Sequence, residues 1–512
     1  MVNTMEKIYQ QYYTKSNEIV SYMLNKLAIQ ENSIVLEPCA GDGVFIDALL
    51  QKGNSIKVEA FELDMNEANK LKNKYHSKEN VYIVNEDTLL YHDFLSSKKE
   101  KKYDFIIANP PYGAWQDYDK RDTLKKIYPN LYIKETYTTF LYLCISLLNE
   151  GGRLVFITPD TYLNLHMHTF LRKYILQNTS IEEISIFNSS FFPGVNFGYS
   201  KLAIITLVKN KNIITNLNNK IKIMTGFKEP ADLLKSNNAK ITYIDQNNII
   251  QNENHAFIYS DDEYLNELLK FPSIRIGDIA DCVTGIYTGD DRKFIKVKDH
   301  SVKNSKNYEI IADKELCINM VPSLNGYDKE LFIPIIKGGN TRYLKNDFWY
   351  INWSKESVRF YKTNRKSRFQ NSQFYFKQGL AVPMVSSNSV TASLINNRII
   401  DQSIVGIFPK NKEYILYLLA FFNTSICTKL LRSINPSANN SANYIKKLPI
   451  IIPDYNTIVH INTLVEIILS LKNTDVNYTN IQNELDNIFN VIFYENKDKN
   501  IRRNLQNELF AI

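Results

Sequence analysis

Apolar runs and amphipathic stretches alternate along residues 30–210, and this alternation limits the folds open to the chain. Five apolar runs are typical of buried strands: "SIVLEP" (33–38), "IKVEAFEL" (56–63), "VYIVNED" (81–87), "YDFIIANP" (103–110) and "RLVFITP" (153–159). Between them, "VFIDALLQKG" and "TFLYLCISLLNEGG" are typical of helices that end at glycine. Such alternation predicts an α/β class with a doubly wound parallel sheet.

The chain has 512 residues, which is too long for one ordinary core. We expect a first domain over residues 1–260, because an Asn-rich, weakly periodic stretch ends near residue 256. Residues 261–455 are irregular and strand-leaning, although "YILYLLAFFNTSICTKLL" (414–431) predicts a buried helix. Residues 456–512 form a C-terminal segment that is predicted to be helical.

Composition excludes several classes of protein. No apolar run reaches the roughly 18 residues that a membrane span needs, and the first residues lack a signal-peptide core, so we expect a cytoplasmic protein without membrane contact. The five cysteines never stand in a CxxC spacing, which argues against a zinc ribbon. His166 and His168 are interpreted as surface residues of a helix, and no metal site is expected.

A glycine turn and three acids lie at successive predicted strand ends. In "VLEPCAGDGVF" (35–45), Gly41 and Gly43 can let a ligand approach the backbone. Glu37, Glu62 and Asp87 end the first three strands. At these positions Glu62 is placed to accept hydrogen bonds from a ribose, and Asp87 from an adenine amino group. Three carboxylates repel a pyrophosphate, so this edge suits a nucleoside cofactor with a positive charge.

The fourth strand ends in Asn109-Pro110-Pro111-Tyr112. Because prolines fix the backbone and cannot continue a sheet, Asn109 and Tyr112 are held on a stiff loop at the ligand-binding edge. The Asn109 side-chain oxygen and the Pro110 carbonyl are two acceptors. Together they can bind the two hydrogens of an exocyclic amine and direct its lone pair at a methyl donor.

The order of these motifs resembles the γ-class DNA adenine-N6 methyltransferases. The resemblance covers "YYTKSNEIVSYML" (12–24), "VLEPCAGDGVF", "FELD" (61–64), "NED" (85–87), "NPPY" and "FFPGVNFGYSKLAIITLVK" (191–209). It implies a Rossmann-like S-adenosylmethionine-dependent catalytic domain followed by a mixed α+β target-recognition domain. By this resemblance, Thr14, Glu37, Gly41, Gly43, Glu62 and Asp87 line the pocket for S-adenosyl-L-methionine.

The same resemblance implies that the enzyme methylates an adenine flipped out of double-stranded DNA. Tyr112 is expected to stack on the flipped base, and Phe192 is the second stacking ring, with Phe191 as the alternative. Stacking is worth about 1–3 kcal/mol per base, which offsets much of the cost of flipping. The expected role is the modification enzyme of a restriction-modification or related defence system, and a separate restriction endonuclease is a candidate partner.

A basic segment in the second half is the candidate DNA contact. Residues 337–369 interleave basic side chains with the rings of Tyr343, Trp349, Trp353 and Tyr361. Lysine and arginine contact phosphates, whereas base-edge contacts supply sequence choice. The predicted DNA-binding residues are Arg342, Lys345, Arg359, Lys362, Arg365, Lys366 and Arg368.

Three alternatives stay open from the sequence. NPPY also occurs in methyltransferases that act on RNA or protein, so the target can differ. The chain can instead be a non-catalytic DNA-binding subunit that retains the fold. Cytosine-N4 methylation uses similar geometry, although Asn109 favours adenine. A Pro-Cys pair, Pro38-Cys39, is interpreted as packing and not as a nucleophile.

Overall fold

The chain folds into two compact units, Met1–Asp261 and Asp262–Ile512. Each unit has its own hydrophobic core. The computed structural model describes residues 14, 16–53, 55–96, 103–112, 118–192, 201–235, 238–258, 263–270, 274–317, 321–386, 389–435, 438–472 and 476–494.

The described strands of the first unit form one sheet of nine strands. They are β1 Ile34–Glu37, β2 Lys57–Phe61, β3 Val81–Val84, β4 Tyr103–Ala108, β5 Leu148–Pro159, β6 Thr179–Asn188, β7 Lys201–Lys209, β8 Lys220–Thr225 and β9 Lys240–Asp245.

The strand order is β3-β2-β1-β4-β5-β7-β6-β8-β9. Strands β1 to β5 pair in parallel, whereas β7 runs antiparallel to its neighbours β5 and β6. The chain winds outward from β1 in both directions, so the sheet has a switch point between β1 and β4. In such sheets the carboxyl ends of the two strands open a ligand crevice. The predicted doubly wound α/β class is confirmed.

The helices of the first unit connect these strands. They are α1 Asn17–Leu27, α2 Val44–Leu50, α3 Met65–Lys74, α4 His92–Leu95, α5 Tyr118–Ile127, α6 Thr136–Leu147, α7 Thr169–Asn178, α8 Ile213–Leu217, α9 Ala231–Lys235 and α10 Gln246–Gln251.

Neighbouring residues determine where these helices begin and end. The Asp64 carboxylate accepts hydrogen bonds from the backbone of Asn66 at 2.8 Å and Glu67 at 3.1 Å, which starts α3. The predicted glycine end of α6 is wrong, because α6 ends at Leu147 and Gly151 and Gly152 lie inside β5. The pairing of β5 with β4 shifts register at these two glycines, and Gly151 has a φ of +77°.

The described strands of the second unit form two sheets of four strands, in the orders β10-β17-β14-β15 and β11-β13-β12-β16. They are β10 Ala280–Thr284, β11 Ile295–Val297, β12 Phe332–Ile336, β13 Trp349–Asn352, β14 Gly379–Pro383, β15 Ser393–Ile395, β16 Ile399–Ile400 and β17 Ile404–Pro409.

Helices also occur throughout the second unit, so it is mixed α+β as predicted. They are α11 Glu263–Lys270, α12 Ile276–Ile279, α13 Asp291–Phe294, α14 Lys355–Thr363, α15 Tyr414–Phe422, α16 Ser425–Ile434, α17 Ala442–Ile445, α18 Tyr455–Leu471 and α19 Thr479–Tyr494.

The single buried helix predicted over residues 414–431 is instead two helices, α15 and α16, which meet at 73°. Asn423 and Thr424 break the helix, because the Asn423 amide donates to two carbonyls and the Thr424 hydroxyl caps α16. No single helix in the described ranges is long and apolar enough to cross a membrane, and α15 and α16 pass that test only as a pair.

Candidate active site

A cleft at the carboxyl edge of the first sheet brings the predicted cofactor and catalytic residues together. It encloses about 430 Å³ free of protein atoms, part of it open to solvent. The cleft is lined by Thr14, Glu37, Cys39, Ala40, Gly41, Asp42, Val44, Phe45, Glu62, Asn109 and Pro111.

Glu62 connects two parts of this cleft. One carboxylate oxygen accepts from the Gly41 backbone and the other from the Asp64 backbone, both at 2.8 Å. The carboxylate therefore holds the glycine turn against the end of β2. Burial raises the pKa of Glu62, while the two backbone donors act in the opposite direction. Each oxygen keeps a second lone pair with which it can accept from a ligand hydroxyl.

Glu37 lies deeper in the cleft and is 1% exposed. Its Oε2 has no hydrogen-bond partner among the described residues. Burial and the nearby Asp42, Glu62 and Asp47 raise its pKa well above the ordinary value. A buried carboxylate oxygen without a partner is costly, and a cationic ligand would compensate it. S-adenosylmethionine carries both an ammonium and a sulfonium, so its charge fits this group.

Two predicted cofactor residues do not line the cleft. Gly43 has a φ of +81°, and a Cβ there would lie 2.7 Å from Leu71 and 2.9 Å from the Tyr75 hydroxyl. Position 43 therefore requires glycine because a side chain there would clash where α2 packs against α3, and not because a ligand approaches it. Asp87 accepts from the Leu89 backbone at 3.1 Å and pairs with Lys120 at 2.5 Å. A contact between Asp87 and the cofactor stays a prediction.

Asn109 is held by hydrogen bonds on both ends of its amide. Its Nδ2 donates to the Thr14 hydroxyl at 2.9 Å, and its Oδ1 accepts from the Tyr112 hydroxyl at 2.9 Å. These contacts fix the amide orientation beside the cleft and leave Oδ1 a second lone pair. Thr14 was predicted only as a cofactor contact, so its link to Asn109 was missed.

The two rings predicted to stack on the target base are buried. Tyr112 is 0% exposed and Phe192 is 4% exposed, and both belong to the core of the first unit. Phe191 stacks on Phe187 with ring centroids 5.2 Å apart. Stacking of Tyr112 or Phe192 on a base requires these rings to be uncovered, and it stays a prediction. Residues 113–117 and 193–200 of the same motifs lie outside the described residues.

Two acids at this edge were not predicted. Asp42 lines the cleft, and burial raises its pKa. It could have been predicted, because it lies inside the glycine turn. Asp160 follows β5 and is 6% exposed, and burial raises its pKa to about 6 although Lys201 opposes this shift. The carboxyl end of β5 lies next to that of β4, so Asp160 belongs to the same edge of the sheet.

The prediction that His168 lies on the surface is wrong, whereas the interpretation of Cys39 as a packing residue agrees with its burial. His168 is buried, and its Nε2 lies 2.9 Å from Glu135, so it is not a surface residue; His166 is exposed. Burial raises the pKa of Cys39 well above its ordinary value, which suppresses the thiolate. In the part of the chain that is described, no group of three or more His, Cys, Asp or Glu side chains could hold a metal ion.

The predicted DNA-binding residues lie in the second unit. Five of them are exposed, on α14 and the loop after it: Arg359, Lys362, Arg365, Lys366 and Arg368. Arg342 and Lys345 are half-buried between β12 and β13. The ion pairs in this part of the unit use other cations, namely Lys337, Lys355 and Arg398. Among the described residues, the seven predicted cations form no ion pair with an acidic side chain.

The aromatic part of the same pattern belongs to the core. Tyr343 and Trp353 are 0% exposed, Tyr361 is 1% exposed and Trp349 is 6% exposed. Three of them, with Phe294 and Tyr375, build one hydrophobic cluster of the second unit. These four rings are therefore core residues.

The fold and the cleft define a class of protein. The first unit is an S-adenosylmethionine-dependent methyltransferase domain, and S-adenosylmethionine is its cofactor. Residues 5–192 match the family model described as Eco57I restriction-modification methylase. Over these residues, the chain is similar to restriction-modification methylases.

Individual relatives agree with this family. The type II methyltransferase M.HindII of Haemophilus influenzae is 27% identical over 377 residues, which cover 68% of this chain and 67% of M.HindII. The adenine-specific methyltransferase BrxX of Escherichia coli is 22% identical over 374 residues. That alignment covers 69% of this chain and 28% of BrxX.

One solved structure shares the fold along most of the chain. It is a nuclease-deletion mutant of the Type ISP restriction-modification enzyme LlaGI, in complex with a DNA substrate mimic. The match has a TM-score of 0.54 at 13% identity and covers 91% of this chain and 55% of LlaGI.

Proposed function

We propose that the chain is a site-specific DNA methyltransferase that modifies the N6 amino group of adenine in duplex DNA. The observation that carries this proposal is the fixed amide of Asn109. Asn109 lines the same cleft as Glu37, Gly41 and Glu62, and both ends of its amide are hydrogen-bonded. The restriction-modification family match and the DNA substrate mimic bound by LlaGI support DNA as the substrate, and the adenine-specific BrxX supports adenine as the base.

Bound S-adenosylmethionine supplies an activated methyl group, and the residues of this chain orient the acceptor. An exocyclic amine is a poor nucleophile because its lone pair is delocalised into the ring. The Asn109 Oδ1 and the Pro110 carbonyl accept the two amine hydrogens, so the nitrogen becomes more tetrahedral and its lone pair is free to attack. As the positive charge on nitrogen develops, these two oxygens stabilise it without forming a covalent intermediate.

The test is methyl transfer from labelled S-adenosylmethionine to duplex DNA, followed by identification of the modified base. Asn109→Ala should reduce transfer by at least about 100-fold, because one fixed acceptor is lost, while cofactor affinity changes little. Asn73→Ala, which changes an exposed amide of α3, is the matched control.

Near wild-type methylation by Asn109→Ala would refute the mechanism. Faster labelling of ribosomal RNA or protein than of duplex DNA would refute the substrate. We further propose that the enzyme protects its own sites in a restriction-modification or related defence system that includes a separate endonuclease. Cells that express only the endonuclease should then die unless the active methyltransferase is present.

A further inference from the structure

A second cleft, lined by lysines, lies wholly within the second unit. It encloses about 1330 Å³ free of protein atoms, including space open to solvent. The charged side chains that line it, among the residues described, are Lys303, Lys337, Lys345 and Lys472. Its walls also include the indole of Trp349 and the turn at Gly338 and Gly339. A concave surface with charges of one sign attracts a polyanion.

Lys345 differs from the other lysines of this cleft in how it is held. Its Nζ donates to the Lys337 carbonyl at 2.9 Å and to the Gly338 carbonyl. A Cβ at Gly339 would lie 3.3 Å from the same Nζ, and Gly339 has a φ of +78°. The glycine turn therefore leaves room for the ammonium, which has a third hydrogen to donate. Burial lowers the pKa of Lys345 to about 8 although Asp401 opposes this shift, so it is charged near neutral pH.

The loop that carries Lys345 is fixed from several sides. Lys337 pairs with Asp291 at 2.6 Å and with the fully buried Asp401 at 3.3 Å, so its own charge is neutralised. The Gly338 backbone donates to the Ser403 hydroxyl at 3.0 Å. The Tyr343 backbone donates to Ala392 at 2.7 Å, although Tyr343 has a φ of +65°. A loop held in this strained conformation positions the Lys345 ammonium on the cleft wall.

Lys345 is held in place by these contacts, whereas the cations of α14 are exposed. A phosphate contact needs only a mobile charge, whereas base recognition needs a donor at a fixed place. Lysine presents hydrogens and no acceptor. In the major groove, guanine presents two acceptors, N7 and O6, whereas adenine presents an acceptor beside a donor.

We propose that Lys345 is a specificity-determining residue, which donates its remaining hydrogen to one guanine of the recognition sequence in a single bond shared between N7 and O6. The proposal rests on the proposed function, because it names how the DNA substrate of that same activity is selected. The lysine-lined cleft then receives the major-groove edge of the duplex, and the exposed cations of α14 hold its phosphates.

The test begins with the recognition sequence of the wild-type chain, obtained by sequencing modified DNA from cells that express it. Each guanine of that sequence is then replaced, one at a time, by 7-deazaguanine, which lacks the N7 acceptor. With wild-type protein, one replacement should lower kcat/KM about 5- to 100-fold. With Lys345→Ala and Lys345→Met, the same replacement should have no further effect, and discrimination against other bases at that position should be lost.

Lys362→Ala is the matched control, because it removes an exposed cation of the same unit. It should weaken methylation equally for every DNA tested. Cofactor affinity and the unfolding temperature verify that each variant is folded, and Lys345→Arg should retain part of the discrimination. A recognition sequence without guanine, or an undiminished 7-deazaguanine effect at every position in both Lys345 variants, would overturn the proposal. If wild-type protein methylates no DNA, it is the proposed function that fails.

Discussion

At the scale of single residues, Glu37 is a buried carboxylate for which the described part of the fold supplies no partner at one oxygen. Its Oε2 is buried without a partner, and three other carboxylates lie near enough to raise its pKa. An ionised side chain in this place opposes folding of the free protein. A cationic ligand reverses that effect, because the carboxylate then gains a partner that the protein does not supply.

Glu37→Gln should therefore change stability and cofactor affinity in opposite directions. Because the folded-state pKa of Glu37 is raised, the folded protein binds its proton more tightly than the unfolded chain, and stability falls as pH rises. The substitution should raise the free energy of unfolding by about 1–3 kcal/mol near pH 8 and by little near pH 5. It should also weaken S-adenosylmethionine binding about 10- to 100-fold.

Urea unfolding at both pH values and calorimetric titration of the cofactor measure these two effects. Glu79→Gln, at an exposed position of the same unit, is the control. A variant that binds the cofactor as tightly as wild type would show that Glu37 does not face its positive charge.

The catalytic amide shows what sequence reasoning can and cannot supply at this scale. The prolines place Asn109 at the end of a strand, so its position beside the cleft followed from local sequence. Its hydrogen bond to Thr14 joins residues 95 positions apart, and no local pattern encodes such a contact. The ion pair between Asp87 and Lys120 could not be predicted either, because it depends on where α5 packs.

At the scale of elements, α14 has a buried side and an exposed, basic side, whose residues alternate along the sequence. Ser357, Val358 and Tyr361 are its buried side, whereas Arg359 and Lys362 are exposed. The sequence alone could not tell which residues of the segment are exposed, since aromatic residues occur both in cores and on nucleic-acid-binding surfaces. The strand and helix alternation of the first unit was easier to predict, because its period depends on local burial.

The salt dependence of methylation tests this element directly. Replacement of Lys362, Arg365 and Lys366 by alanine removes three exposed cations. If each contacts a phosphate, the slope of log KM against log salt concentration should fall by about 0.9 for each residue, without change in the recognition sequence. Lys72→Ala, which changes an exposed cation of α3, should leave the slope unchanged. An unaltered slope in the triple variant would place the DNA elsewhere.

At the scale of the whole molecule, the two units divide the proposed activity. Every residue that lines the cofactor cleft belongs to Met1–Asp261, and every residue that lines the lysine cleft belongs to Asp262–Ile512. In the proposed activity, cofactor binding and catalysis use one core, and recognition of DNA uses the other. This division allows the recognition sequence to change without disturbance of the chemistry.

Separate expression of the two units tests the division. Residues 1–261 contain the complete cofactor cleft and a continuous sheet, so they should fold alone. S-adenosylmethionine should raise their unfolding temperature about as much as it raises that of the full chain, because a ligand stabilises whichever unit holds its site. They should lose sequence-specific methylation, since both the exposed cations and Lys345 are absent. Residues 262–512 should bind DNA in a salt-dependent way without any effect of the cofactor. If the first unit alone methylates the same sequence at the same rate, recognition belongs to its own residues, and the role assigned to the second unit is wrong.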